Sequence, residues 1–358
     1  MTSKNSWLEW LVSEKHDLAH QIVERQYELQ PEFLRYGDHG RKLALEDAGY
    51  HLDYLFTSLV HKSPALFHAY LNWAESLFHH LSLPKGALRC FYSAATDVLC
   101  RHVQAGNLTT DQFHQVTGAI ERGFDIAHTK SLNPVSSIRS DNPLKEELES
   151  FTRFLVEADR HSAAHLVQDL LKKGTDPKEI YRHLFHPFQI ELGNLWQQNK
   201  ITVAQEHFAT ASTQFIMSLL YEKILTTPKG NRVLLGTCVS GELHEMGIRM
   251  VCDYLECCGW HTYFLGSNMP TRGILDMVVD KNPDIIAISC TMTYHIPKVV
   301  SLIEQLRKED IKTSVLVGGY PFNLDPELWK KTGADGYAND FDTIHETAEL
   351  LAGGDRES

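Results

Sequence analysis

Two short groups of residues have the types and spacing of a metal-ligand site. The first is Glu242-Leu243-His244-Glu245-Met246-Gly247, which follows the apolar run Val233-Leu234-Leu235-Gly236-Thr237. A neutral imidazole ligates cobalt-class ions, and a carboxylate two residues earlier is placed to hold its other ring nitrogen. His244 is the candidate ligand, Glu242 its supporting carboxylate, and Gly247, with no side chain, would admit a bulky planar group close to the backbone. The second group is Trp196, Glu206 and His207, spaced Trp-x9-Glu-His. Tryptophan offers a flat apolar face, glutamate accepts from hydroxyls, and His207 is a second imidazole. Each group alone also has an ordinary reading: a loop histidine near a helix start, a core tryptophan, an acidic residue favoured in a first helical turn. Their order along one chain suggests one imidazole below a bound group and one above it.

The elements that must position these residues show in the periodicity. Apolar runs of strand length at 233–237, 262–265, 285–289 and 314–317, with a weak fifth at 336–338, alternate with helix-length segments. This predicts a doubly wound, five-stranded parallel sheet of Rossmann-like, flavodoxin-like type with helices on both faces. Such sheets bind ligands beyond the carboxyl ends of their strands, where the chain order reverses, and Glu242 to Gly247 fall at that edge. Upstream, 144–225 reads as four helices joined by short turns, an antiparallel bundle. Gly174 is a helix-end glycine, Asp176-Pro177 with Glu179 opens the next helix, and Thr202 with Gln205 repeats the device, so Glu206 and His207 enter the first turns of the last helix. The first 125 or so residues are helical too, at 7–28, 42–59, 64–81, 85–104 and 110–127, with a turn expected over Tyr36 to Gly40. Linkers rich in Ser, Asn and Pro at 131–143, and short at 228–231, give three parts: a helical N-terminal domain (1–130), a four-helix bundle (143–227) and the sheet domain (231–354).

Composition narrows the function classes. Hydrophobic content is 43% with 22% charged residues, as in globular proteins, and no apolar stretch approaches the roughly 20 residues of a membrane span. The first residues carry no signal-peptide pattern, and seven cysteines form no even disulfide framework. A net charge of -12 opposes nucleic-acid phosphates. The expectation is a cytoplasmic protein that binds neither nucleic acid nor membrane.

On the residues quoted, the sheet part resembles the cobalamin-binding domain of base-off, histidine-on corrinoid proteins. That family's fingerprint is Asp-x-His-x-x-Gly, then Ser-x-Leu, then Gly-Gly. Here the three parts read Glu242 to Gly247, Ser289-Cys290-Thr291 and Gly318-Gly319, each after its own predicted strand. The resemblance implies that His244 is the lower axial cobalt ligand. It also implies that the dimethylbenzimidazole tail descends into a slot lined by Ser289, Gly318 and Gly319. Two positions depart: Glu242 stands for Asp, one methylene longer, and Thr291 stands for Leu at the contact to the nucleotide tail.

The upper group resembles CarH-type adenosylcobalamin photoreceptors, in which Trp-x9-Glu-His covers the upper face. The resemblance implies that Trp196 packs on the adenosyl group, Glu206 bonds it, and His207 takes the upper cobalt position after light cleaves the cobalt to carbon bond. The basic helix-turn-helix of that family is missing, and the layout is instead similar to photocobilins, which add biliverdin. That similarity brings in Arg41 and Lys42 for the propionates and His51 or Tyr54 for the pyrrole nitrogens; a solvated helix start and a surface histidine are the plainer account. The expected function is therefore a light sensor and not an enzyme. It holds small-molecule chromophores and passes its signal through a light-dependent homo-oligomer or a downstream protein, since little chain follows the last helical stretch. The alternative is a corrinoid carrier of a methyltransferase system, and a blander one is a helical interaction protein with an empty nucleotide-like domain.

Overall fold

Apolar residues three and four apart build the first of two units, into which the computed structural model divides between Asn133 and Pro134. The structure describes residues 6–127 and 134–353, so the start of the expected 131–143 linker lies outside the described residues. The first unit is helical throughout: α1 (Ser6–Ser13), α2 (Lys15–Leu29), α3 (Gly37–Val60), α4 (Pro64–His80), α5 (Ala87–Gln104) and α6 (Thr110–Ala127). Leu18, Ile22 and Val23 of α2, Leu52, Leu55 and Phe56 of α3 and Phe91, Tyr92 and Val98 of α5 share its core. The turn expected over Tyr36 to Gly40 is instead the junction of a 3-10 segment, Pro31–Tyr36, with α3. Gly37 bends the chain there at φ +58°, and Gly40 marks a close contact, since a Cβ on it would lie 2.2 Å from that of Tyr36.

The second unit begins with a strap, not a free linker. Ser136 Oγ and the Ser137 N–H donate to Glu191 Oε2 at 2.9 and 2.8 Å, and Asn194 donates to the Val135 carbonyl at 3.0 Å. The polar residues that read as a linker are thus anchored on the helix they cross. The bundle follows: α7 (Lys145–Val156), α8 (Arg160–Lys172), α9 (Pro177–Ile180), α10 (His186–Gln197), α11 (Val203–Met217) and α12 (Tyr221–Thr226), with a π-helical stretch, Tyr181–Phe185, joining α9 to α10. Gly174 past the end of α8 has φ +85°. Thr202 and Gln205 form a reciprocal capping box that fixes the start of α11, so Glu206 and His207 lie in its first turns.

The sheet half holds β1 (Val233–Cys238), α13 (Met246–Cys257), β2 (His261–Phe264), α14 (Thr271–Lys281), β3 (Ile285–Ser289), α15 (Ile296–Lys308), β4 (Ser314–Gly318), α16 (Tyr320–Leu324), α17 (Leu328–Thr332), β5 (Gly336–Tyr337) and α18 (Ile344–Gly353). The strands are parallel in the order β2-β1-β3-β4-β5, so the direction of winding reverses between β1 and β3. The runs of β1, β3 and β4 are buried on both faces, as a doubly wound sheet requires, while the edge strand β2 is partly exposed. A Cβ on Gly236 would lie 2.3 Å from Cys252 Sγ; this glycine lets α13 close onto β1. Among the described residues no helix is long and apolar enough to cross a membrane.

Bundle and sheet share one core, running from Phe151, Phe185 and Phe188 to Leu255, Leu234 and Ile285. At their joint sits one buried carboxylate. Tyr181 Oη donates to Asp253 Oδ2 at 2.8 Å, Tyr221 Oη to Oδ1 at 3.4 Å, and Arg249 in turn donates to Tyr221 Oη at 3.4 Å. Burial pushes the Asp253 carboxyl up to about 6, against the opposing hydrogen bond from Tyr181 and charge of Arg249. An acid raised in the folded state adds stability at low pH that is lost as the pH rises, here from near its ordinary 3.8 to about 6. At ~1.4 kcal/mol per pKa unit the loss is roughly 3 kcal/mol. Asp253→Asn carries no such loss, so its stability relative to wild type should climb by up to that amount as the pH rises through the window from 3.8 to about 6. Guanidinium unfolding free energies at the two ends of the window check this, and a constant difference would contradict it.

Candidate functional site

The loop between β1 and α13 is organised around Glu242, which has no exposed surface. Its Oε1 accepts from the His244 N–H at 3.1 Å and from His244 Nδ1 at 2.6 Å. Its Oε2 accepts from the N–H groups of Thr291 and Met292, each at 2.9 Å, and from His295 Nδ1 at 3.1 Å. Burial alone would raise this carboxyl. The His244 and His295 imidazoles and the backbone N–H groups of Met292 and His244 outweigh it and hold the carboxyl well below the usual carboxylate range. An anion at Nδ1 keeps the proton there and leaves the Nε2 lone pair of His244 available, on a side chain 56% exposed. The loop is braced from outside as well: Asn268 Oδ1 accepts from the Gly241 N–H at 2.8 Å and Lys298 donates to the Ser240 carbonyl at 2.8 Å.

The other two fingerprint segments meet at the same edge. Ser289 ends β3, in register with Cys238 of β1 and Gly318 of β4. A Cβ on Gly247, in the first turn of α13, would lie 3.9 Å from Ser289 Oγ, so the two positions face one another between helix and sheet. Gly318 closes β4, and Gly319 turns at φ +106°, where a Cβ would sit 2.1 Å from the Cys290 carbonyl oxygen. Thr291 contributes its backbone N–H to Glu242, a contact that is independent of its side chain. The Thr-for-Leu departure therefore leaves the support of His244 intact.

Trp196 is half-buried near the end of α10 and packs on the core that the bundle shares with the sheet. His207 Nδ1 lies 2.7 Å from Glu206 Oε2 on exposed first turns of α11, and Thr210 donates to Glu206 Oε1 at 2.8 Å. Glu206, Thr210 and Gln214 stand at four-residue spacing along one stripe of α11. Gln214 donates to Glu245 Oε1 at 3.3 Å, and Glu245 Oε2 accepts from the Ser267 N–H at 2.8 Å. The stripe that carries Glu206 is thus tied to the residue after His244.

The sequence reading missed His295, Glu245, Gln214 and Gly236. Gln214 was reachable by extending the helical spacing from Glu206; His295 had no local signal. The residues named for a bilin lie on α3, with roughly 14 Å of helix between Lys42 and His51 at 1.5 Å per residue. Arg41 is ion-paired with Glu24 and lies over the Tyr27 ring, and Lys42 is exposed. The surface reading of His51 is corrected: it is buried, bonded to Tyr70 Oη through Nδ1 and packed against Phe91, and burial lowers it to about 3. Tyr54 stacks on Tyr70 at 3.9 Å.

Comparison with known proteins fits this geometry. Residues 232–344 match the B12 binding domain family, and residues 147–221 match a second family also described as a B12 binding domain. The second unit is a cobalamin-binding module. The module resembles the dimethylamine corrinoid protein 1 of Methanosarcina acetivorans, 28% identical over 185 residues, which are 49% of this chain and 84% of that protein. It likewise resembles trimethylamine corrinoid protein 1 of the same organism, 26% identical over 190 residues, 51% of this chain and 86% of that protein. The fold matches the Methanosarcina barkeri monomethylamine corrinoid protein with a TM-score of 0.52 at 17% identity, covering 58% of this chain and 99% of that one. The first unit lies outside both family matches.

The Gly318-Gly319 turn of the module gives a direct test. Gly319→Ala forces a Cβ into backbone at a left-handed φ and is expected to destabilise by about 3 kcal/mol or more. Gly193→Ala, inside α10 with open space around the new methyl, should instead stabilise by about 0.5–1 kcal/mol. Urea midpoints of the two variants, moving in opposite directions, check the assignment.

Proposed function

We propose that the module binds a corrinoid base-off, with His244 Nε2 as the lower axial ligand of cobalt. In this reading the chain serves as a corrinoid carrier that takes part in methyl transfer with partner proteins. The observation that supports it is Glu242, whose buried carboxylate holds His244 Nδ1 and turns Nε2 outward. The residues fit the group: Gly247 faces Ser289 Oγ between α13 and β3, and Gly318, in register with Ser289, ends β4 at the same edge. Ser289, Thr291, Gly318 and Gly319 would then hold the nucleotide tail. When bound, the corrinoid supplies a cobalt centre able to carry a methyl group. What the chain supplies is a fixed imidazole below it and a helical cap above it. The similarity to methylamine corrinoid proteins favours this carrier reading over light sensing.

A second reading has one specific observation behind it. Trp196, Glu206 and His207 keep the spacing of a light-sensing upper face, and His207 is exposed with its Nδ1 held by Glu206. In that reading adenosylcobalamin is the ligand, Trp196 and Glu206 cover it, and His207 is the exchangeable upper imidazole. Output would pass through a homo-oligomer or a downstream partner. Biliverdin on the first unit has weaker support, since His51 is already engaged with Tyr70.

Uptake of hydroxocobalamin should be stoichiometric, and His244→Ala should weaken it by more than the roughly 10-fold typical of losing a supporting residue. A colourless wild-type protein after incubation would exclude both readings. Adenosylcobalamin-loaded protein compared in darkness and under green light separates them. A bis-histidine spectrum lost in His207→Ala, with a changed elution volume, marks a sensor; an unchanged elution volume and no His207-dependent spectrum marks a carrier.

A further inference from the structure

The strap that opens the second unit is fitted to one stripe of the helical run it crosses. Its contacts fall on His183, Pro187, Glu191 and Asn194, spaced four, four and three residues apart, which places them on a single helix face. One of them fills a defect in the helix. Pro187 has no N–H to give the carbonyl four residues earlier, and that carbonyl, of His183, accepts from Asn142 Nδ2 at 2.9 Å. Glu191 is buried at 8% exposure, and its Oε2 takes the Ser136 hydroxyl and the Ser137 N–H, while the Ser137 hydroxyl donates to the Pro187 carbonyl at 2.6 Å.

The two ends of the strap are held differently. Ile138 and Leu144 pack on the core that bundle and sheet share, whereas Val135 is 89% exposed, and hydrogen bonds to Asn194, Glu191 and Pro187 hold the strap there. Hydrogen bonds at a solvent edge contribute little net, so this end opens while the apolar end stays. Opening strips donors from a buried carboxylate, which must then be hydrated, and a shift of the last turns of α10 is what brings water to it. Trp196 lies five residues beyond Glu191, in the final turn of α10. The chain reaches this point directly from the end of the first unit at Asn133. We propose that residues 134–137 form a clasp that couples the chain arriving from the first unit to α10: closed, it holds Trp196 in place, and open, it releases Trp196. The link to ligand rests on the reading of the bundle as the cap of a bound corrinoid; the coupling of strap to helix does not.

Two variants open the clasp from opposite sides. Ser136→Ala combined with Ser137→Ala removes the hydroxyls and leaves Glu191 short of donors, while Glu191→Met removes the acceptor and with it the carboxylate that needs water. Hydrogen exchange of the cofactor-free full chain, followed by mass spectrometry, reads the strap at 135–138 and the helix at 190–197. In the serine variant both segments should exchange about 10-fold faster. In Glu191→Met the strap should exchange faster and the helix should stay at the wild-type rate. Fluorine resonances of the 5-fluorotryptophan-labelled chain, with Trp196 assigned by its loss in Trp196→Phe, should move for Trp196 in the serine variant. Hydroxocobalamin should slow exchange at 135–138 about 5-fold and bind the serine variant more weakly than wild type, because ligand and clasp favour one another reciprocally. An unmoved helix and Trp196 resonance in the serine variant would overturn the proposal, as would equal acceleration of the helix in Glu191→Met or an unprotected strap in wild type. Should Glu191→Met fail to fold, the serine variant decides alone. Should wild type take up no hydroxocobalamin, the corrinoid reading falls, while exchange of the cofactor-free chain still decides whether the strap controls α10.

Discussion

A fully buried carboxylate is tolerated only if its charge is matched by donors, and Glu242 meets that condition by drawing the chain segments after β1 and β3 together. The loop after β1 supplies His244, the loop after β3 supplies two N–H groups, and the turn into α15 supplies His295. Losing one of these donors weakens the matching of a charge that has no exposed surface. The site is therefore rigid for the same reason that it is costly, and this rigidity is what a lower ligand needs: His244 presents one nitrogen in one direction.

The sheet makes the convergence possible. In a parallel sheet every strand releases its following loop at the same edge, and the reversal between β1 and β3 makes the loops after these two strands neighbours. Glycines then set how close the layers come. Gly236 admits α13 against β1, and Gly319 passes beneath the Cys290 carbonyl where no side chain would fit. The glycine pair at the end of β4 thus has a backbone reason to be there, apart from any nucleotide it borders.

Much of this could be read from the sequence because the signals are local. A carboxylate and an imidazole two residues apart after an apolar run need no tertiary knowledge, and the capping residues of α11 announce themselves within four positions. His295 could not be read, because 53 residues separate it from Glu242 and only the strand order makes them neighbours. The substitution of Glu for Asp was visible as a departure, but its consequence was not, since the donors that meet its Oε2 lie after another strand. The turn expected over Tyr36 to Gly40 narrows to Gly37, which bends the chain at φ +58°, while Gly40 is already inside α3 against Tyr36; a glycine signals either a bend or a close contact, and the sequence alone does not tell which. Likewise Ser136 and Ser137 look like linker until the buried Glu191 carboxylate is seen to accept from them.

Two glutamate–histidine pairs of the second unit use one device at different depths. His244 Nδ1 lies 2.6 Å from Glu242 and His207 Nδ1 lies 2.7 Å from Glu206, so each imidazole is held at Nδ1 with Nε2 left over. Glu242 is sealed from solvent, where a charged hydrogen bond is strong and its loss severe. Glu206 and His207 are 29% and 74% exposed, in a range where such pairs contribute about 0–1 kcal/mol and exchange readily with water. A permanent ligand suits the first setting and an exchangeable one the second. That difference in depth, more than the spacing of Trp196, Glu206 and His207, keeps the sensor reading alive beside the carrier reading, because a carrier has no need of a loosely held imidazole on the face where its methyl group must come and go.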